Sequence, residues 1–321
     1  MGLLLPLFFL SITGAAMFAQ EYPTKPVRMI EPFGAGGGPD IVARAISPKL
    51  SELWGQRVTV ENHPGAGSTE APALVANSPA DGYTLLVNTS AQAYSAAFVK
   101  NLPYDPLNDF IPVAPLTSQP YVLVAGQSSG ITTIGELIAK AKAKPGQLTF
   151  GSTGVGTGSY VGVEKFNLET GIEGVHVPPE LGDAITNVIA STVTGRSAYM
   201  IAPIPLALAD IRAGKLYALG VTTKKRSSLL PEVPTIAEAG VPGFDYPVWY
   251  GIWVRSGTPA AVVEKLGKDI ARALAIPDLR DQLAKHGADP MSMTQPEFAH
   301  FVLRESESAA RIMKAAGIKP Q

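Results

Sequence analysis

Val27-Arg28-Met29-Ile30 leads into Glu31-Pro32-Phe33-Gly34-Ala35-Gly36-Gly37-Gly38-Pro39-Asp40, and then into Ile41-Val42-Ala43-Arg44-Ala45-Ile46. The first segment is a largely apolar run, and the last carries apolar residues at helical spacing. Between them lies a loop with almost no side chains. Glycines there leave backbone N–H groups uncovered, and a helix start adds unsatisfied donors and the positive end of its dipole. Such a corner suits a phosphate or a carboxylate. Taken alone, it is equally well a tight strand-to-helix turn with no ligand.

The same grammar recurs. A β-branched strand over 58–60 leads to Glu61-Asn62-His63-Pro64-Gly65-Ala66-Gly67-Ser68-Thr69 and a helix over 71–76. Asp81-Gly82 marks a turn before a strand over 83–87, which runs out in Asn88-Thr89-Ser90-Ala91. A strand over 148–150 precedes Gly151-Ser152-Thr153-Gly154-Val155-Gly156-Thr157-Gly158-Ser159 and a helix over 160–169. Strands that end in open loops imply a parallel sheet with its strand ends on one crevice. Further strands are expected over 121–125, 195–201, 216–222 and 250–254. Helices are expected over 133–144, 184–191, 206–213, 259–275, 277–286 and 295–316. Proline-rich stretches near 103–106 and 109–113 read as connections. The alternation gives an α/β chain of two domains.

Composition narrows the function. The 321 residues are 46% hydrophobic and 17% charged, as in a well-buried globular protein. Twenty-six basic residues against 27 acidic ones force no basic face, so nucleic acid is not an expected partner. There are no cysteines, hence no disulfide, thiolate metal site or cysteine nucleophile. Residues 3–12 are almost wholly apolar and are followed by small residues up to Ala19, the layout of a secretory signal cut near Ala19. An exported, periplasmic protein follows.

Catalytic signatures are weak. Gly126-Gln127-Ser128-Ser129-Gly130 has the Gly-x-Ser-x-Gly form of a nucleophile elbow, but its helix starts only at the N-cap candidates Thr132 or Thr133. A turn is the simpler reading, with a serine hydrolase using Ser128 as the alternative. His63, His176, His286 and His300 show no short metal-ligand spacing. The glycines at 34–38 do not fit a dinucleotide fingerprint, and no acidic residue closes a second strand about 20 residues later. No metal or cofactor is expected, and no enzyme activity. The loops are built to bind.

Several separated motifs resemble one family in order. Pro32-Phe33-Gly34-Ala35-Gly36-Gly37 with Asp40 and Ala43-Arg44, then Glu61 to Gly67, resemble the paired loops of the Bug (TctC-type) receptors of tripartite tricarboxylate transporters. Ala80 to Leu86, Leu102 to Pro106, Ser152 to Ser159, His176-Val177-Pro178, Ala213 to Leu216 and Leu230 to Gly240 continue the match to the C-terminus. The resemblance implies a two-domain fold like the type II periplasmic binding proteins, with a ligand cleft between domains and two crossing segments as hinge. We expect crossings near 121–124 and 219–223. Domain I is expected to span 20–120 with 224–300. Domain II takes 121–223 with part of the C-terminal helix over 301–321.

By the same resemblance, main-chain donors of Phe33, Gly34, Gly36 and Gly37, and of His63, Ala66, Gly67, Ser68 and Thr69, grip one carboxylate. Ser90 stands on the third loop. Ser152, Thr153, Thr157, Gly158 and Ser159 face them from the second domain, with Pro179 and Asp183 toward the distal part of the ligand. The implied role is capture of a small carboxylate, a dicarboxylate by preference, by a monomeric receptor that hands it to membrane permease subunits. A periplasmic sensor for a two-component system is the alternative in this class. Three stretches depart from the family pattern. Gly67-Ser68-Thr69 stands for Gly-Gly-Asn, Pro179-Glu180-Leu181 for Tyr-Lys-Gly, and Gly195-Arg196-Ser197-Ala198 for Gly-x-Val-Asp. The last two lie in the half that reads the far end of the ligand.

Overall fold

A computed structural model describes residues 22–65, 69–177 and 185–320. The proposed signal segment lies outside the described residues, as do Ala66, Gly67, Ser68, Pro179 and Asp183. In chain order the first elements are β1 (Val27–Glu31), α1 (Gly38–Trp54), β2 (Val58–Asn62), α2 (Glu70–Ala76), β3 (Thr84–Thr89), α3 (Ala91–Phe98) and β4 (Phe110–Gln119). Next come β5 (Tyr121–Gly126), α4 (Ile134–Ala143), β6 (Leu148–Gly151), α5 (Gly158–Thr170), β7 (Gly174–Val177), α6 (Ile185–Val193), β8 (Tyr199–Pro203), α7 (Ile204–Arg212) and β9 (Leu216–Val221). The chain closes with β10 (Val248–Arg255), α8 (Ala260–Leu274), α9 (Pro277–Ala284), β11 (Asp289–Pro290) and α10 (Gln295–Ala315). No helix among the described residues is long and apolar enough to cross a membrane.

The strands form two sheets, one in each domain of an α/β fold. The first runs β11-β4-β10-β3-β1-β2 and the second β7-β6-β8-β5-β9. β1 pairs in parallel with β2 and β3, as expected, so Glu31, Asn62 and Thr89 end at one edge. The expected parallel sheet is nevertheless mixed. β10 inserts antiparallel between β3 and β4, because it returns to the first sheet after the whole of the second has been made.

Residues 109–113, expected as a connection, fall almost wholly within the ten-residue strand β4. Pro112 and Pro115 hide it from a sequence reading, since proline lacks the N–H a ladder needs. Register shifts on β10, between Trp249 and Gly251 and between Ile252 and Trp253, absorb the mismatch opposite them. Helix α3 and strand β7 formed where no helix or strand was expected. The Thr133 N-cap was anticipated correctly: its hydroxyl accepts the Glu136 N–H in a reciprocal capping box.

Between β4 and β5 lies only Pro120, so the first crossing is abrupt. After β9 the chain stays on the second sheet for a while. Thr235 bridges Val221, the Ile236 N–H donates to Val221 O, and the Tyr246 N–H donates to Thr222 O. It rejoins the first sheet at Val248. α10 then lies against both halves. Its Phe298 and Phe301 pack edge-on to Trp249, while Ser308, Ala309 and Ile312 share a cavity of about 100 Å³ with Val161 and Lys165 of α5.

Candidate functional site

The loop after β1 is held by buried charge. Asp40, in the first turn of α1, accepts hydrogen bonds from the Gly36 N–H (2.9 Å), Arg44 Nε (2.8 Å) and Asn62 Nδ2 (2.8 Å). Arg44 also donates to Asn62 Oδ1 at 2.7 Å. Glu31, fully buried beneath the loop, accepts the Phe33 N–H at 2.9 Å and a hydrogen bond from Asn62 Nδ2. The Gly37 N–H closes a turn on Gly34 O, and Gly36 sits at φ +82°, where only glycine rests without strain. Burial alone would raise the Asp40 carboxyl. The donors from Arg44, Gly36 and Asn62 outweigh it and bring the carboxyl below its usual range. Glu31 behaves oppositely: burial pushes it up to about 8, with Asp40 adding to the rise.

This bonding revises which atoms face outward. Phe33, Gly36 and Gly37 lie in the loop as expected, but their N–H groups are engaged within it. Among the described residues, the N–H groups of Gly34, Ala35 and Gly38 have no such partner. Those are the donors left for an anion. At the neighbouring corner the His63 N–H donates to Glu31 O, and the half-buried His63 ring lies 3.7 Å from Glu61. Thr69 is the N-cap residue of the short α2.

The second-domain loop is held without charge. Ser159 Oγ accepts the Thr153 N–H (3.1 Å) and meets the Thr153 and Thr157 hydroxyls at 3.0 and 3.2 Å. The Thr157 hydroxyl donates to Gly154 O at 2.6 Å. Ser152 Oγ accepts the Gly154 N–H at 3.1 Å and pairs with His176 Nε2 at 2.7 Å. Burial drives His176 down to about 4, so it is neutral at ordinary pH. α5 opens from this loop with Thr157 as N-cap and no side-chain cap. Its first N–H groups, on Gly158, Ser159 and Tyr160, find no acceptor among the described residues.

The structure brings the two domains' loops together. A β-carbon on Gly158 would lie 3.6 Å from Ser90 Oγ, and one on Gly156 would lie 3.0 Å from the Phe98 β-carbon. Thr69, Asn88, Gln92 and Tyr104 meet Val155, Gly156 and Thr157 around a cavity of about 10 Å³. Ser90 Oγ is fully buried and makes no hydrogen bond of good geometry, although it bears electrostatically on the neighbouring Tyr94 hydroxyl. The buried Ser90 hydroxyl of one domain therefore lies beside the start of α5 in the other, whose first N–H groups have no acceptor among the described residues. The larger cavity beside α10 lies elsewhere, among Tyr94, Lys165, Asp245 and Glu305.

Ser128 does not sit on an elbow. Gln127–Ser129 is a single 3-10 turn, Gly130 at φ +64° ends it, and α4 begins only at Ile134. Exposed Ser128 packs on Gly195, while His176 is engaged by Ser152. Sequence reasoning missed His176 as the partner of Ser152, and missed Glu31 and Asn62 as the supports of the first loop. The only trace was the Asp40 to Arg44 spacing of one helical turn.

Comparison with known proteins agrees with this geometry. A family model described as "Tripartite tricarboxylate transporter family receptor" (TctC) matches residues 42–318. Protein BugT of Bordetella pertussis is 32% identical over 320 residues, covering 97% of this chain and 96% of BugT. Rpa4515 of R. palustris, solved with adipate, superposes with a TM-score of 0.85 at 32% identity, covering 94% of this chain and all of that one. MatC of Rhodopseudomonas palustris, solved with malate, gives a TM-score of 0.81 at 30% identity, covering 91% and 99%.

Proposed function

Because the chain belongs to the tripartite tricarboxylate transporter receptor (TctC, or Bug) family, we propose that it captures a small organic dicarboxylate outside the cytoplasm and delivers it to a membrane permease. The observation that carries this reading is the closeness of Ser90 Oγ to Gly158 at the start of α5, where the first N–H groups have no acceptor among the described residues. Gly34, Ala35 and Gly38 offer a second group of free donors on the first domain. A carboxylate satisfies such donors without a buried cation, since charge-assisted bonds from several neutral dipoles sum. Adipate and malate bound to relatives of this fold support the solute class.

We place the first domain at residues 22–119 and 248–300 and the second at 121–246, with Pro120 and Pro247 as the crossings. α10 packs along the junction on the side of the larger cavity. A ligand that touches both loop sets stabilises the closed arrangement by its extra contacts there. Small-angle scattering should show the protein compacting on ligand addition.

Calorimetric titration with aliphatic and aromatic mono-, di- and tricarboxylates tests the solute class. Saturable binding of a dicarboxylate is the expected result. Binding of neutral solutes with no response to any carboxylate would sink the proposal.

A further inference from the structure

Glu31 is a buried titratable side chain that the binding reading does not use. Its carboxyl ties two corners together: one oxygen takes the Phe33 N–H of the first loop, the other the Asn62 amide at the end of β2. Its main-chain oxygen takes the His63 N–H, which begins the second loop. Relative placement of the two loops thus runs through one residue.

The charges around it do not balance. α1 contributes Asp40 and Arg44. Arg44 donates to Asp40 and Asn62 and makes no hydrogen bond to Glu31; its charge lowers the Glu31 pKa by less than burial raises it. β2 contributes Glu61, which is taken by Arg28 at 2.7 Å, with His63 3.7 Å away. α2 adds Glu70 near Gly65, and β3 presents no charged side chain. Glu31 and Asp40 therefore share the single Asn62 amide with one guanidinium between them, and that guanidinium is on Asp40. Two carboxylates so placed do not both ionise; the one without a cation keeps its proton.

We propose that Glu31 is a positioning residue of the anion corner that works in its neutral form, so that capture of an anionic solute is linked to a proton on this carboxyl. Burial and the Asp40 charge, which set its proton loss near pH 8, agree with that assignment. Neutral Glu31 holds the Phe33 N–H and Asn62 without placing a second negative charge behind the loop. Ionised Glu31 adds that charge beneath Gly34 and Ala35 and repels the solute. By linkage, a bound carboxylate in turn raises the affinity of Glu31 for its proton. The inference rests on the carboxylate reading above.

The test is calorimetric titration of adipate into the wild-type protein and Glu31→Gln, from about pH 6.5 to about pH 9.5. We expect the wild-type Kd to weaken by about tenfold or more across that range, from a charge several ångströms away, and the variant to stay flat. A wild-type Kd that does not weaken, or parallel curves for the two proteins, overturns the proposal. Should adipate bind neither protein, the solute reading fails for adipate, and the infrared band of protonated carboxyl in the ligand-free protein decides the charge state. A band that vanishes with a midpoint near pH 8 and is missing from Glu31→Gln supports neutral Glu31. Absence of any such band at neutral pH overturns it. Glu31→Met, similar in volume, serves as the reference if Glu31→Gln does not fold.

Discussion

The loop after β1 and the loop after β6 share one local grammar: strand, glycine-rich loop, helix start. They are built from opposite materials. Residues 32–40 are fixed by carboxyls and a guanidinium, with Asp40 as the hub of three donors. Residues 152–159 are fixed by hydroxyls and a neutral imidazole, with Ser159 and Ser152 as hubs. Both arrangements leave the outward N–H groups free, so the capacity to meet an anion does not depend on how the loop is braced. The bracing decides how each loop responds to mutation and to pH. A charged brace is strong while its partners are complete and fails hard when one is removed. A hydroxyl brace distributes small contributions, and its one titratable partner, His176, takes up a proton only near pH 4.

Removal of the hubs should give the largest contrast. Asp40→Ala leaves Arg44, Asn62 and the Gly36 N–H without their shared acceptor. It should cost about 2–3 kcal/mol in urea unfolding, below the range for a broken, fully buried pair because Arg44 is half exposed and solvent screens it. Ser159→Ala should cost only about 1 kcal/mol. Equal losses at the two hubs would break the comparison.

The pH dependence of stability sharpens it. Glu31 has a raised folded pKa, near 8, so the native state holds a proton that the unfolded chain releases near 4.5. Its contribution to stability is fully present in acid and is lost as pH rises toward 8. Glu31→Gln should flatten that part of the Tm profile. His176 has a lowered folded pKa, about 4 against 6.5, so its contribution is present above pH 6.5 and lost as pH falls toward 4. His176→Gln should flatten the acid limb. Both limbs unchanged in the variants would remove the assigned causes.

A smaller effect separates bracing from binding. Ser90 Oγ is buried without a good partner, so Ser90→Ala should leave the unfolding free energy within about 0.5 kcal/mol of wild type. The same change should weaken carboxylate binding by about tenfold or more, the loss of one hydrogen bond to a charged group. A clear loss of stability with unchanged affinity would show that the hydroxyl braces the fold instead.

Much of this was legible in the chain. The strand and helix signals around 27–46 and 148–169 come from apolar periodicity and glycine placement, which are local and survive any tertiary context. So was the family, since its motifs occur in order along one register. Strand β4 was not legible, because Pro112 and Pro115 argue against a strand and only the bulged β10 opposite them makes one possible. The mixed sheet was equally hidden, as the direction of β10 is fixed by where the second domain returns the chain.

The site divides the same way. Which residues form the loops was determined by the sequence itself: small side chains between a strand and a helix leave backbone donors open wherever they occur. Which donors remain free was decided by tertiary structure. Phe33 and Gly36 lose their N–H groups to Glu31 and Asp40, whose carboxyls turn inward because burial beneath the loop leaves them no water to face. Distant residues, Asn62 from β2 and His176 from β7, complete the two braces, and no local pattern could have announced them.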